Sequence, residues 1–233
     1  MVMHHQVTKI KKYESNAFVI KKFLSKNQIK SIQILYKNLP VEINNKRQKI
    51  IKKKWAKFFL PNLQKIFKKK LEKKTGSFKI DNPKTKEGYE SFGLFQESYK
   101  PVGLHVDTGF DFKKILFKQF LLPLSSGGET VVFKNRFYGC STTFSIDPKE
   151  LKAKGYNKRS SKHLEIFRGE DFDKKKHKKY LRHENIKNLK GLEIEMVYKW
   201  KLGEILIFDR SQLHCSSSNL KNKKIGFTGL TCK

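Results

Sequence analysis

The 233-residue chain carries 52 Lys and Arg against 21 Asp and Glu, a formal net charge of +31. No apolar run of about 18 residues is present, which excludes a membrane-spanning helix. Cys140, Cys215 and Cys232 form no C-x-x-C pair, which excludes a thiolate zinc site and a disulfide framework. The opening stretch, MVMHHQVTKIKKYESNAFVI, lacks the apolar middle of a signal peptide, so a cytoplasmic protein with reduced thiols is expected. A charge of this size attracts phosphate-rich partners. Lysine, however, far outnumbers arginine, whose forked guanidinium is the usual reader of phosphates and bases. It is spread among abundant Ile, Asn and Phe, as an AT-rich coding sequence would give. Nucleic acid is therefore a candidate partner but not the favoured one.

In chain order, the first third reads as helical. Ser25 caps a helix whose Ile29, Ile32, Leu35, Tyr36 and Leu39 keep a helical period, and Pro40 stops it. A second helix is expected around Ile50, Ile51, Trp55, Phe58 and Phe59, ending near Pro61. A third carries Leu63, Ile66, Phe67 and Leu71 and ends by Gly76. The lysine runs at 52–54 and 68–70 then read as solvated helix faces. From about residue 77 the pattern changes to short segments rich in β-formers: SFKI, SFGLFQESY, VGLHVD, ILFKQFLLPL and ETVVF. Residues 134–190 are highly charged and read as an insertion or lid rather than a second core. Strands resume with LEIEMVYKW, EILIF and KIGFTGLT. Helices followed by strands predict a single α+β domain with a mainly β core, a sandwich or barrel. It comprises a helical region (1–76), a core (77–133 and 191–233) and the insertion (134–190).

The chemistry-bearing residues lie in those strands. In GLHVDTGF, Gly103, His105 and Asp107 share one strand face, and Val102, Leu104 and Val106 the other. An imidazole and a carboxylate side by side suit Fe(II), Mn(II) or Zn(II), although H-x-D is common by chance. A distal His214 follows the apolar strand of WKLGEILIFDRSQLH. Ten residues later, Lys224, Gly226 and Thr228 share a face, leaving room for a bound anion beside the lysine. Between the two histidine regions lies LLPLSSGGETVVF, two strands around a Gly-Gly turn.

These four elements, in this order and spacing, resemble the Fe(II)- and 2-oxoglutarate-dependent dioxygenases, the superfamily of phytanoyl-CoA hydroxylase and the prolyl hydroxylases. The resemblance covers roughly residues 90–133 and 197–231. It implies a double-stranded β-helix of the jelly-roll, cupin-like type with N-terminal helices. It implies that His105, Asp107 and His214 bind Fe(II), and that Lys224 pairs with the distal carboxylate of 2-oxoglutarate, with Lys223 as the alternative. Tyr99 and Thr228 are further cosubstrate candidates; Tyr99 is equally placed to pack inside the sandwich. It also implies an O2-dependent reaction releasing succinate and CO2. Asp107 favours hydroxylation, because related halogenases put a small residue there to admit halide. The expected substrate is a small or carrier-linked molecule, with an anionic one favoured by the basic insertion.

Two rival readings remain. One is a basic nucleic-acid-associated protein. Nucleic-acid demethylases of the same superfamily carry an arginine where this chain has Leu230 and pair the cosubstrate with arginine, not lysine. The other is a metal-binding jelly-roll without oxygenase activity, which has no need of an anion partner at Lys224. His4, His5, His163, His177 and His183 read as solvated, Cys215 as a small buried residue, and Asp209–Arg210 as an ion pair near the mouth. Gly127, Gly128 and Thr130 read as serving turn geometry, and Glu129 as exposed.

Overall fold

The computed structural model describes residues 2–46, 48–158, 169–220 and 222–233. The chain opens with α1 (Val2–Lys11), β1 (Phe18–Ile20) and α2 (Lys26–Asn38). α2 begins where Ser25 predicts. The Ser25 hydroxyl accepts from the Gln28 amide, and the Gln28 side chain accepts from the Ser25 amide, a complete capping box. The helix expected next is not formed. Residues there make β2 (Ile43–Asn45) and β3 (Ile50–Ala56), an antiparallel pair whose inner member also pairs with β5 (Ser91–Ser98). Cross-strand pairing and burial of Ile50, Trp55 and Ala56 outweigh the weak helical spacing. α3 (Pro61–Thr75) then starts with proline in its first turn and ends at Gly76, whose φ of 78° suits glycine.

β4 (Lys79–Ile80), β5, β6 (His105–Val106), β7 (Leu116–Pro123), β8 (Glu129–Arg136) and β9 (Thr142–Ser145) follow. After them come α4 (Pro148–Leu151), β10 (Tyr156–Lys158), α5 (Lys174–Tyr180), β11 (Ile194–Lys199), β12 (Ile205–Asp209), β13 (Gln212–Ser216) and β14 (Lys224–Cys232). One sheet has the order β1-β12-β7-β14-β5-β3-β2, with β4 added beside β14; the other has the order β10-β9-β6-β13-β8-β11. The chain crosses between sheets at each step from β5 to β8 and again from β11 to β14. This is the double-stranded β-helix, a jelly-roll of mainly β structure with helices at its N-terminal side.

The strand alternation places apolar residues mostly on the outer faces. Phe92, Phe95, Phe120 and Phe227 of the large sheet pack with Ile29, Ile32, Phe67 and Leu71 of α2 and α3. Leu104, Val106, Val131, Phe133 and Leu213 of the small sheet pack with Phe144, Phe172, Leu181 and Leu189. The last four come from residues 134–190, so that segment is more than a lid. β9 joins the small sheet beside β6, and the segment's few apolar residues cover that sheet's outer face. The inward faces carry the polar residues and enclose a cavity of about 1080 Å³.

Candidate metal centre

β6 lies between β9 and β13, with His105 opposite Thr143 on one side and His214 on the other. That register makes the two imidazoles cross-strand neighbours, with ring centroids 4.1 Å apart. Leu104 and Val106 are buried in the outer cluster, so His105 and Asp107 turn into the cavity. Leu213 and Cys215, both buried and the latter as expected, do the same for His214 on β13.

The donor atoms of His105, Asp107 and His214 lie within 4.8 Å of one another. The Nε2 atoms of His214 and His105 are 3.4 Å and 3.7 Å from Asp107 Oδ2. Donors on one face of an octahedron with bonds of ~2.1 Å sit ~3 Å apart, so a small contraction suffices to hold an ion. The tautomers are fixed for ligation. His105 Nδ1 meets the Gly103 carbonyl at 2.7 Å, and His214 Nδ1 meets the Gln212 carbonyl at 3.1 Å. A carbonyl only accepts, so each Nδ1 carries the proton and each Nε2 presents a lone pair to the shared point. Burial, then the neighbouring His214, lowers the His105 pKa to about 4, against the opposing pull of Asp107. For Asp107, burial acts upward but is outweighed by the neighbouring His214 and His105 and by the hydrogen bond from Gln119, so its carboxyl is held well below its ordinary range. A neutral imidazole and a carboxylate are the forms that bind a divalent ion, and the donor set fits Fe(II), Mn(II) or Zn(II).

Three residues that sequence reasoning missed support these donors. Gln119 Nε2 donates to Asp107 Oδ2 at 2.9 Å, while its buried Oε1 has no partner among the described residues. Its signal was a polar residue inside the apolar strand ILFKQFLLPL. Arg210 donates to the Asp107 and Thr108 carbonyls, each at 3.1 Å, and pairs with Asp81 at 2.7 Å. It therefore clamps the backbone that carries Asp107. It does not pair with Asp209, which instead holds Lys118 and Arg136. Glu184 accepts from the Leu104 amide at 2.6 Å and from Asn188 at 3.0 Å, bracing the start of β6. Nothing in its charged surroundings marked it.

Lys224 lies at the other end of the same cavity and is 5% exposed. Its ammonium donates to the Ser216 hydroxyl and stands 5.0 Å from the Trp200 ring. Among the described residues no carboxylate lies within salt-bridge distance of it. Burial accordingly lowers its pKa to about 8. The glycines beside it have a packing role. A Cβ on Gly226 or Gly128 would come within 2.8 Å of the Trp200 ring, so both admit that ring. Gly127, with φ of 88°, does serve the turn. The Thr130 hydroxyl accepts from Trp200 Nε1 at 2.9 Å, and Glu129 is only partly exposed, bonded to Asn219.

The remaining candidates separate. Thr228 lines the cavity, donating to the Leu94 carbonyl at 3.3 Å. Tyr99 is 45% exposed, bonds Glu97 and does not line the cavity, so it neither reaches a cosubstrate there nor packs inside the sandwich. Lys223 points the same way, 3.4 Å from Glu97. Of the histidines expected to be solvated, His183 is an exposed residue, but its ring is partly enclosed, lining the cavity and meeting Ser218 Oγ at 3.0 Å. Burial, with Lys224 nearby, lowers its pKa to about 4. His177 bonds the Glu184 carbonyl at 2.9 Å. His163 lies outside the described residues.

No family model matches the sequence, and no curated protein matches it. Solved structures do match the fold. An oxidoreductase of the 2OG-Fe(II) oxygenase family from Burkholderia pseudomallei has a TM-score of 0.50 at 11% identity, covering 99% of this chain and 89% of its own. The non-haem α-ketoglutarate-dependent epimerase SnoN of nogalamycin biosynthesis has a TM-score of 0.52 at 7% identity, with coverage of 98% and 81%. The carbocyclase SnoK of the same biosynthesis has a TM-score of 0.50 at 10% identity, with coverage of 97% and 83%. At these identities the likeness is one of architecture: this chain has the fold of the Fe(II)- and 2-oxoglutarate-dependent oxygenase structures.

Proposed function

We propose that the protein is a non-haem Fe(II)- and 2-oxoglutarate-dependent oxygenase that hydroxylates a C–H bond of a small or carrier-linked substrate. One observation carries this reading. The cluster of two imidazoles and a carboxylate opens onto the same cavity as a buried lysine with no carboxylate partner among the described residues. A metal-binding jelly-roll without a keto-acid cosubstrate gives no reason to bury that charge. An anionic cosubstrate spanning the cavity supplies the missing partner.

In this reading His105, Asp107 and His214 would hold Fe(II) through Nε2, a carboxylate oxygen and Nε2, a donor set that would leave the ion able to take up the cosubstrate as well. Lys224, with Ser216, would hold the distal carboxylate of 2-oxoglutarate. Trp200 and Phe208 wall the cavity between them and limit water. Gln119 and Arg210 keep Asp107 in place. When bound, the metal and keto acid supply C–H oxidation by O2 with release of succinate and CO2.

The test is succinate formation by the purified protein with Fe(II), ascorbate and 2-oxoglutarate, with and without a metabolite pool. Iron-dependent succinate release, raised by the pool, is expected. Absence of turnover together with absence of metal-dependent 2-oxoglutarate binding overturns the proposal.

A further inference from the structure

The lysine run at 52–54 reads as a solvated face if it is helical. In the strand β3 the three side chains separate. Lys53 turns to α2, donating to the Tyr36 carbonyl at 2.9 Å with its ammonium 4.7 Å from the Tyr36 ring. Lys54 lies 3.4 Å from the Glu42 carboxylate. Lys52 lines the cavity. Among the described residues it has no carboxylate within 4.0 Å and no side-chain hydrogen bond.

The sheet register fixes where this charge stands. Lys52 is opposite Gln96 on β5, and Gln96 is opposite Gly226 on β14. Lys224 is opposite Ser98, which is opposite Ile50. With strands ~4.8 Å apart and ~3.4 Å per residue, the α-carbons of Lys52 and Lys224 are ~12 Å apart. Lys224 is buried behind Trp200, whereas Lys52 is half-buried and nearer the edge of the sheet. Lys52 lines the same cavity as His105, Asp107 and His214, so it shares the space of the metal cluster. The amides of Gln48 and Gln96 line the same wall. The acidic groups lining the cavity beyond the cluster are Asp147, Glu150 and Glu184. Glu184 is engaged by Leu104 and Asn188, and Asp147 caps α4.

We propose that Lys52 binds a carboxylate of the substrate, so that the molecule oxidised is a small carboxylic acid held at a second anion position distinct from Lys224. This rests on the oxygenase reading, in which Lys224 is taken by the cosubstrate. A carboxylate fits better than a phosphate. Beyond Lys224 the cavity is lined by Lys52 and the exposed Lys100, and Asp147 and Glu150 there offset the second of these charges, so a single negative charge is matched.

The test is calorimetric titration of the full chain loaded with Fe(II) and saturating 2-oxoglutarate, without oxygen. The probes are the protein amino acids and short hydroxy acids, each against its primary amide, and sugar monophosphates against the free sugars. At least one acid is expected to bind, and its amide at least about ten-fold more weakly. Lys52→Met should weaken that acid about ten-fold or more, and Lys52→Arg should recover most of it. Lys73→Met, which removes an equal charge from the exposed end of α3, should leave it unchanged. Melting curves of each variant separate lost binding from lost folding. Equal binding of acid and amide, binding that ignores Lys52→Met, binding of phosphates alone, or no bound acid overturns the proposal. Failure of the wild type to bind 2-oxoglutarate counts against the oxygenase reading alone, because the Lys52 comparison can be repeated without cosubstrate.

Discussion

Lys224 stands in an environment that opposes its charge. Burial lowers its pKa from the ordinary 10.5 to about 8, so at neutral pH the folded protein carries a desolvated ammonium. Because the folded value lies below the unfolded one, the cost is fully present below pH 8 and fades as pH rises toward 10.5. Lys224→Met should therefore stabilise the ligand-free protein at pH 7, on the order of 1–3 kcal/mol, and stabilise it less at pH 10. The same variant should bind 2-oxoglutarate at least ten-fold more weakly while keeping iron affinity. Chemical denaturation at both pH values and calorimetry check the two halves; equal loss of iron and 2-oxoglutarate binding would point to misfolding. Gln119 acts at the other end of the cavity. Gln119→Leu removes the donor to Asp107 and should reduce metal affinity about 10- to 100-fold with little change in melting temperature, measured by competition with a chelator.

At the scale of elements, the period of two was the dependable signal. It assigned His105 and Asp107 to one face of their strand, and Lys224, Gly226 and Thr228 to one face of theirs. The structure turns those faces into the cavity. Where periodicity was short it misled. IIKKKWAKFF spaces its apolar residues loosely enough to fit a helix, and only the pairing with β5, distant in sequence, decides for a strand. That error hid Lys52. Supporting contacts were equally illegible. Arg210 reaches a carbonyl 103 positions earlier, and Glu184 an amide 80 positions earlier, through contacts that only the folded sheets create. The segment 134–190 looked coreless because its apolar residues are sparse. Phe144, Phe172, Leu181 and Leu189 are far apart in the chain but meet in one cluster.

For the whole molecule, the +31 charge is a field as well as a composition. It raises the encounter rate with anions in a salt-dependent way, whatever its genomic origin. No helix among the described residues is long and apolar enough to cross a membrane. Acid should act on stability through the two partly buried histidine rings of the cavity. His105 and His183 both have folded pKa values of about 4, below the ordinary 6.5. The unfolded chain then binds more protons between those limits, so stability of the metal-free protein should fall as pH drops from 6.5 toward 4. Each histidine contributes up to about 1.4 kcal/mol per pH unit in that window. His183→Gln should make the slope shallower in urea titrations at a series of pH values; an unchanged slope would remove His183 from this role.

The chain has two tryptophans. Trp55 is sealed among the phenylalanines of the large sheet's outer cluster, whereas Trp200 lies over Gly128 and Gly226 with the Lys224 ammonium 5.0 Å from its ring. One indole therefore provides a constant optical background and the other an internal voltmeter. A carboxylate arriving at Lys224 changes the field across the Trp200 ring. Intrinsic fluorescence should then shift on addition of 2-oxoglutarate, saturably, and Trp200→Phe should abolish the response. The protein thus carries a built-in readout of cosubstrate occupancy that needs neither label nor turnover.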